Sequence, residues 1–169
     1  VREAGYTAVQ VSGLGPIPAA EIRAVLDDAG LAVCATHEPA DMILAEPERV
    51  AERLRILGTT LTAFPYPGTR NLSDPVVVDT LIAGLTRSGE ALRRQGLTLG
   101  YHNHAHEFIR QGKGTVLERI FDETPPEALV AELDTYWVQF GGGSVVGWCR
   151  RMKGRLPAIH LKDYKIGAN

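Results

Sequence analysis

Apolar residues along this chain fall into two alternating kinds of run. Short, nearly continuous stretches at Thr7–Val11, Leu31–Thr36, Thr60–Phe64, Leu97–Tyr101, Leu129–Asp134 and Ala158–Leu161 read as strands buried on both faces. Between them apolar residues recur at helical spacing. In Pro18–Ala29 the stripe is Ile22, Val25, Leu26 and Ala29, and after Pro47 it is Val50, Leu54 and Leu57. Asp74-Pro75 predicts an N-cap followed by a first-turn proline, with Val78, Leu81, Ile82, Leu85 and Leu92 on one face. A shorter helix is predicted over Thr115–Phe121. Ser144 caps another that carries Val145, Trp148, Cys149 and Met152. Gly5, Gly30, Gly58 and Gly96 each separate a helix from the next strand, where the chain must turn back through a left-handed residue.

Six strands alternating with five complete helices predict a parallel α/β sheet. A (β/α)8 barrel takes about 250 residues. The 169 residues here therefore predict one domain over 1–169: an incomplete barrel of about six parallel strands, lacking the first and last. A doubly wound open sheet is the alternative. It ranks second because Ser12-Gly13-Leu14-Gly15-Pro16 after the first strand is not a dinucleotide-binding glycine motif. Val1–Gly5 reads as the last turn of a helix and Tyr164–Gly167 as a strand running into a loop, so a fragment of a longer protein is expected. An open sheet exposes two edges, and the isolated chain is expected to self-associate.

Composition narrows the function classes. The chain is 44% apolar with a net charge of −2 from well-mixed charges, and no basic stripe marks a nucleic-acid surface. No apolar run approaches the roughly 20 residues of a membrane span, and no signal-peptide pattern opens the chain. Cys34 and Cys149 read as small core residues in a reducing compartment, which predicts a cytoplasmic protein.

The polar residues that break the strand pattern lie at strand C-terminal ends, where a barrel carries its chemistry. They are Gln10 and Ser12, then His37 and Glu38, then Tyr66, then His102, His104 and Glu107. Asp134, Tyr136 and Trp137 follow, and last come His160, Lys162 and Asp163. Steps of 27 and 26 residues separate Glu107, Asp134 and His160, about one strand–helix unit each, so the three converge if the strands are neighbours. Two carboxylates and one imidazole suit Mn²⁺, Mg²⁺ or Co²⁺. His102, His104 and His106 offer a competing set for Zn²⁺, unless the chain bends after Asn103 and scatters it. Each residue also has a structural reading. Glu107 suits a loop, Asp134 a helix N-cap, His160 a core histidine and Lys162 a solvated loop. His102 and His104 either line a pocket or brace the loop. Glu132 shares a face with Asp134 at a deeper position, as a supporting carboxylate or one turned toward a helix. Trp137 and Trp148 suit packing, and Trp137 also an apolar wall for a sugar ring.

Gly5–Gln10, Tyr101-His102-Asn103-His104, Glu132–Trp137 and His160–Tyr164 resemble the strand-end motifs of the sugar phosphate isomerase/epimerase family. These are xylose isomerase-like TIM barrels that include inosose dehydratases and ketose 3-epimerases. The resemblance implies a divalent-metal-dependent isomerase or epimerase that acts on a sugar or sugar phosphate by proton transfer through an enediolate. It implies Glu107, Asp134 and His160 as three of four metal ligands, the fourth being a glutamate on the last strand. Mn²⁺ is the first choice of metal, with Mg²⁺, Co²⁺ or Zn²⁺ as alternatives. Glu107 would take a proton while His102, His104 and Lys162 orient hydroxyls and favour the oxyanion; Gln10, His37, Tyr136 and Trp137 would contact substrate. The expected partner is a small carbohydrate, with neither nucleic acid nor membrane, and a homo-oligomer is allowed. Three other readings stay open: a dehydratase-like lyase, an endonuclease IV-like metal-dependent phosphodiesterase, and a non-catalytic sugar-binding relative.

Overall fold

The computed structural model describes residues 1–68 and 70–163. Within them the predicted alternation is present. Strands β1 (Ala8–Ser12), β2 (Ala32–His37), β3 (Leu61–Phe64), β4 (Thr98–His102), β7 (Val130–Asp134) and β8 (Ala158–His160) form one sheet in that order, and every pairing in it is parallel. Helices α1 (Ala19–Asp28), α3 (Pro47–Leu57), α4 (Pro75–Arg93), α5 (Val116–Asp122) and α7 (Val145–Arg151) fill the connections. β1 and β8 are opposite ends of the sheet, yet Gln10 on β1 hydrogen-bonds His160 on β8. The sheet is therefore curled into an open half-barrel, as the periodicity predicts.

The predicted caps form. Asp74 accepts from the amide of Val76 ahead of Pro75, Ser144 accepts from Gly147, and Thr115 and Glu118 make a reciprocal capping box. Three elements escape the sequence pattern. Helix α2 (Ala40–Ala45) is six residues between Pro39 and Pro47, too short for a periodicity to show. Helix α6 (Thr135–Phe140) starts at the residue that ends β7. A small antiparallel ladder, β5 (Arg110–Gln111) with β6 (Gly114–Thr115), follows a 3₁₀ turn over His106–Phe108. Tyr164 to Gly167, expected to leave a strand for a loop, lie outside the described residues.

The larger core packs helices α2 to α5 and α7 against the sheet around Leu54, Phe64, Leu81, Leu85, Tyr101, Ile120 and Leu133. A smaller one joins Val11, Ala19, Ile22, Val33 and Leu57 under α1. Cys34 corrects an expectation, because it is exposed and Cys149 only half-buried. Val33 beside it packs toward the helices, so alternation along β2 turns Cys34 to the open concave side.

Candidate functional site

Five strand ends meet at the mouth of the half-barrel. Tight backbone ties hold them in register. Asn103, just past β4, accepts from the amide of Asp134 at 3.0 Å and so fastens β4 to the end of β7. Thr135 accepts from the amide of Lys162 at 2.9 Å, and its hydroxyl reaches the carbonyls of His160 and Lys162 at 3.1 Å each. That fastens β7 to β8. Neither Asn103 nor Thr135 stood out in the sequence, since small polar residues after strands are common turn formers.

On this frame sit three imidazoles and two carboxylates. One ligand atom from each of His37, His102, Glu132 and His160 falls within 4.8 Å of every other. Glu132 is buried and central. It accepts from Gln10 Nε2 at 2.7 Å and lies 2.5 Å from His37 Nε2, whose Nδ1 meets Ser12 Oγ at 3.1 Å. Its Oε2 is also 3.3 Å from His102 Nδ1 and 3.8 Å from His160 Nε2. Burial alone would raise the Glu132 carboxyl. The neighbouring His102, His37 and His160 outweigh it and bring the group down to about 2, so Glu132 is an anion at neutral pH.

Asp134 faces the same imidazoles from the other side. Its Oδ1 caps α6 by accepting from Trp137 N, which frees Oδ2 for the site. Both readings of this aspartate, cap and functional carboxylate, thus hold together in one side chain. Oδ2 is fully buried and accepts no directed hydrogen bond. It lies 3.6 Å from His160 Nδ1, 3.7 Å from His102 Nε2 and 2.5 Å from the ammonium of Lys162.

The chemistry of this donor set fits a cation. The Gln10 amide nitrogen is committed to Glu132, so its oxygen must accept from His160 Nε2–H at 2.7 Å. Burial lowers the His160 pKa against the opposing pull of Glu132 and Asp134, with His102 and His37 adding to the drop, and so favours the neutral ring. A neutral ring donating through Nε2 carries its lone pair on Nδ1, 3.6 Å from the Asp134 carboxylate oxygen that Lys162 also approaches. Two acceptors facing each other are favourable only with positive charge between them. The separations of 3.6 and 3.7 Å between Asp134 Oδ2 and the two imidazole nitrogens leave room for a cation among them. Lys162 already brings a positive charge to the same oxygen.

The other predicted residues divide. Asp134 and His160 come together as the spacing implied, and Gln10, His37, His102 and Lys162 join them. Glu107 is not brought into this group. The chain bends after Asn103 into the 3₁₀ turn, and Glu107 tucks inward, fully buried. Its Oε1 accepts from the Tyr101 hydroxyl at 2.9 Å and its Oε2 from the His104 amide at 3.0 Å. Burial raises its pKa, and the same hydrogen bonds oppose the rise. His104 stands between Trp137 and Tyr66, with ring centroids 5.2 Å from each, and its Nδ1 is buried without a partner. Burial, then His102, lower it to about 4. The bend separates His106 from His102, so the three-histidine set does not form on one strand face; His106 lies beside Tyr66. Tyr136 packs on Trp137 and Phe140. Glu132 is the member sequence reasoning underweighted. Its signal was the shared parity with Asp134, two residues on along the strand.

The sequence model for the xylose isomerase-like TIM barrel family matches residues 1–169. An inosose dehydratase from Geobacillus thermodenitrificans is 30% identical over 88 residues, covering 52% of this chain and 29% of that protein. An inosose dehydratase from Mesomycoplasma hyopneumoniae is 32% identical over 87 residues, 52% of this chain and 28% of that protein. Among solved structures, a sugar phosphate isomerase/epimerase from Parabacteroides distasonis superposes with a TM-score of 0.81 at 24% identity, over 96% of this chain and 66% of that one. The match thus spans under a third of each dehydratase, and the chain spans just under two thirds of the solved neighbour.

Proposed function

The chain belongs to the xylose isomerase-like TIM barrel family, and from that premise we propose that its site serves a divalent-metal-dependent isomerase or epimerase of a sugar or sugar phosphate. The observation that carries the reading is the neutral His160 ring whose free nitrogen stands 3.6 Å from the buried Asp134 Oδ2, an oxygen that also pairs with Lys162. Asp134, His160 and His102 are the groups that would hold the ion, while Glu132, at the opposite nitrogens of both rings and with His37 behind it, would support the imidazoles. Mn²⁺ is the favoured occupant, because a mixed carboxylate and imidazole set suits it. When bound, such an ion supplies Lewis acidity that makes a C–H beside a carbonyl easier to deprotonate.

The side chains divide the remaining work. Glu107 is the carboxylate that burial moves toward neutral pH, the direction a proton acceptor needs, and Tyr101 and His104 fix its two oxygens. Lys162 and the neutral His104 ring orient substrate hydroxyls, and the Lys162 ammonium favours the oxyanion of an enediolate. Trp137, tilted beside His104, offers the sugar an apolar face. Return of the proton to the neighbouring carbon or the opposite face completes isomerisation or epimerisation. The dehydratase relatives favour a second reading, in which the same proton removal is followed by loss of a β-hydroxyl.

Titration with Mn²⁺ followed by electron paramagnetic resonance tests the site. One saturable ion per chain is expected, and Asp134→Asn or His160→Asn should each weaken it by more than about tenfold. Glu107→Gln should keep the ion and abolish exchange of a ketose C–H into D₂O. No saturable Mn²⁺ binding would overturn the reading.

A further inference from the structure

Beside the cluster lies a cavity of about 710 Å³, bounded by the loop after β1 and the loop after β2. It adjoins the site at His37, which lines it and also contacts Glu132. Its walls are mostly apolar: Leu14, Ile17, Ile22, Pro39, Met42 and Pro65. Leu14 and Ile17, on the loop that covers the cavity, are 50% and 37% exposed. Two large apolar side chains left open over a concave surface next to a polar centre gain burial from a ligand that reaches them.

The charges around the cavity decide what kind of ligand that is. Two arginines line it, and each is already paired. Arg53 Nε donates to Glu38 Oε2 at 2.8 Å, and that carboxylate is only 3% exposed. Arg49 meets Glu46 at 3.2 Å. Among the described lining residues each arginine has a carboxylate partner, so a phosphate would compete with Glu38 or Glu46 for them. A bare polyol fits poorly too, since few groups in the walls can replace the water on its hydroxyls.

We infer that the substrate is bipartite: a polyol part reaches the imidazole–carboxylate cluster, and an uncharged apolar substituent, of the kind an aryl or alkyl glycoside carries, fills this cavity. The inference rests on the proposed sugar chemistry of the cluster and narrows its substrate class away from phosphorylated sugars.

Calorimetric titration with three probes tests it: phenyl β-D-glucopyranoside, glucose and glucose 6-phosphate. The phenyl glucoside should bind at least about tenfold more tightly than glucose, the order expected for burying an aromatic ring. Glucose 6-phosphate should gain nothing over glucose. Ile17→Asp should cut the phenyl advantage to under about threefold while glucose affinity stays unchanged. Leu14→Asp, on the exposed loop, provides a second variant if the first fails to fold. Tighter binding of glucose 6-phosphate than of the phenyl glucoside, equal binding of phenyl glucoside and glucose, undetectable phenyl glucoside binding, or a phenyl advantage that survives both variants would each overturn the proposal. The Mn²⁺ titration separates this failure from the other. Intact metal binding without a phenyl preference removes only the bipartite substrate, whereas a phenyl preference without metal binding removes only the metal chemistry.

Discussion

Helix α4 carries two glycines that forecast opposite outcomes for the same substitution. A Cβ on Gly89 would stand 1.9 Å from the carbonyl oxygen of Ala128 and 2.7 Å from its carbonyl carbon. Favourable carbon contacts begin near 3.5 Å, so helix and backbone must part by about 1.5 Å. Ala128 lies just ahead of β7, the strand that carries Glu132 and Asp134, and no side chain can rotate to relieve the contact. Overpacking of a core costs about 1–3 kcal/mol, and a backbone clash belongs at the upper end. Alanine returns about 1 kcal/mol through its higher helix propensity. Gly89→Ala should therefore lose about 2 kcal/mol. At Gly84 the nearest atom is Leu44 Cδ2 at 3.1 Å, the tip of a flexible side chain. There the propensity gain dominates, and Gly84→Ala should be neutral or stabilising by about 0.5 kcal/mol. Urea unfolding followed by far-ultraviolet circular dichroism measures both. A Gly89→Ala midpoint at or above the parent's, or a Gly84→Ala loss as large as that of Gly89→Ala, would refute the packing argument.

Two further predictions concern acid and the support of β7. His104 titrates near 4 in the fold against an ordinary value of 6.5, so between those pH values the unfolded chain binds the extra proton. Its contribution is complete above pH 6.5 and drains away as the pH falls to 4, by on the order of 1–2 kcal/mol after allowing for solvent around the half-buried ring. Thermal midpoints should decline through that window and His104→Asn should flatten the decline; midpoints that hold or rise would contradict it. Glu132 adds a loss at lower pH, since its depressed carboxyl favours the fold above 4.5 and ceases to do so as the pH drops through about 2. Arg155 donates to the carbonyls of Phe121, Leu129 and Thr124 at 2.6, 2.7 and 3.0 Å. Arg155→Ala should cost about 3–4 kcal/mol, and Arg155→Lys should recover less than half of it because an ammonium cannot span three acceptors; a loss below about 1 kcal/mol in urea would show that water replaces the guanidinium.

What the sequence disclosed and what it hid follow from the range of the forces involved. Strand runs and helix stripes such as Val50, Leu54 and Leu57 are repeated patterns, and burial reinforces them at every turn, so they were legible. The six-residue α2 and the immediate strand-to-helix switch at Asp134 offer too few positions for a period. The site was legible where strand parity governs it: Asp134 and His160, ending neighbouring strands in register, meet as their spacing requires. Glu107 illustrates the limit. Its place is set by a local bend after Asn103 and by the Tyr101 hydroxyl, a partner six residues back that no periodicity encodes. Glu132 was visible by parity, but its weight depends on Gln10 and His37 arriving from strands far away in sequence.

Gln10 has one further consequence. Its amide grips Glu132 with one end and His160 with the other, so the first strand of the sheet is tethered to the last two through the same atoms that ring the cluster. The curvature of the scaffold and the arrangement of the cluster thus share one side chain.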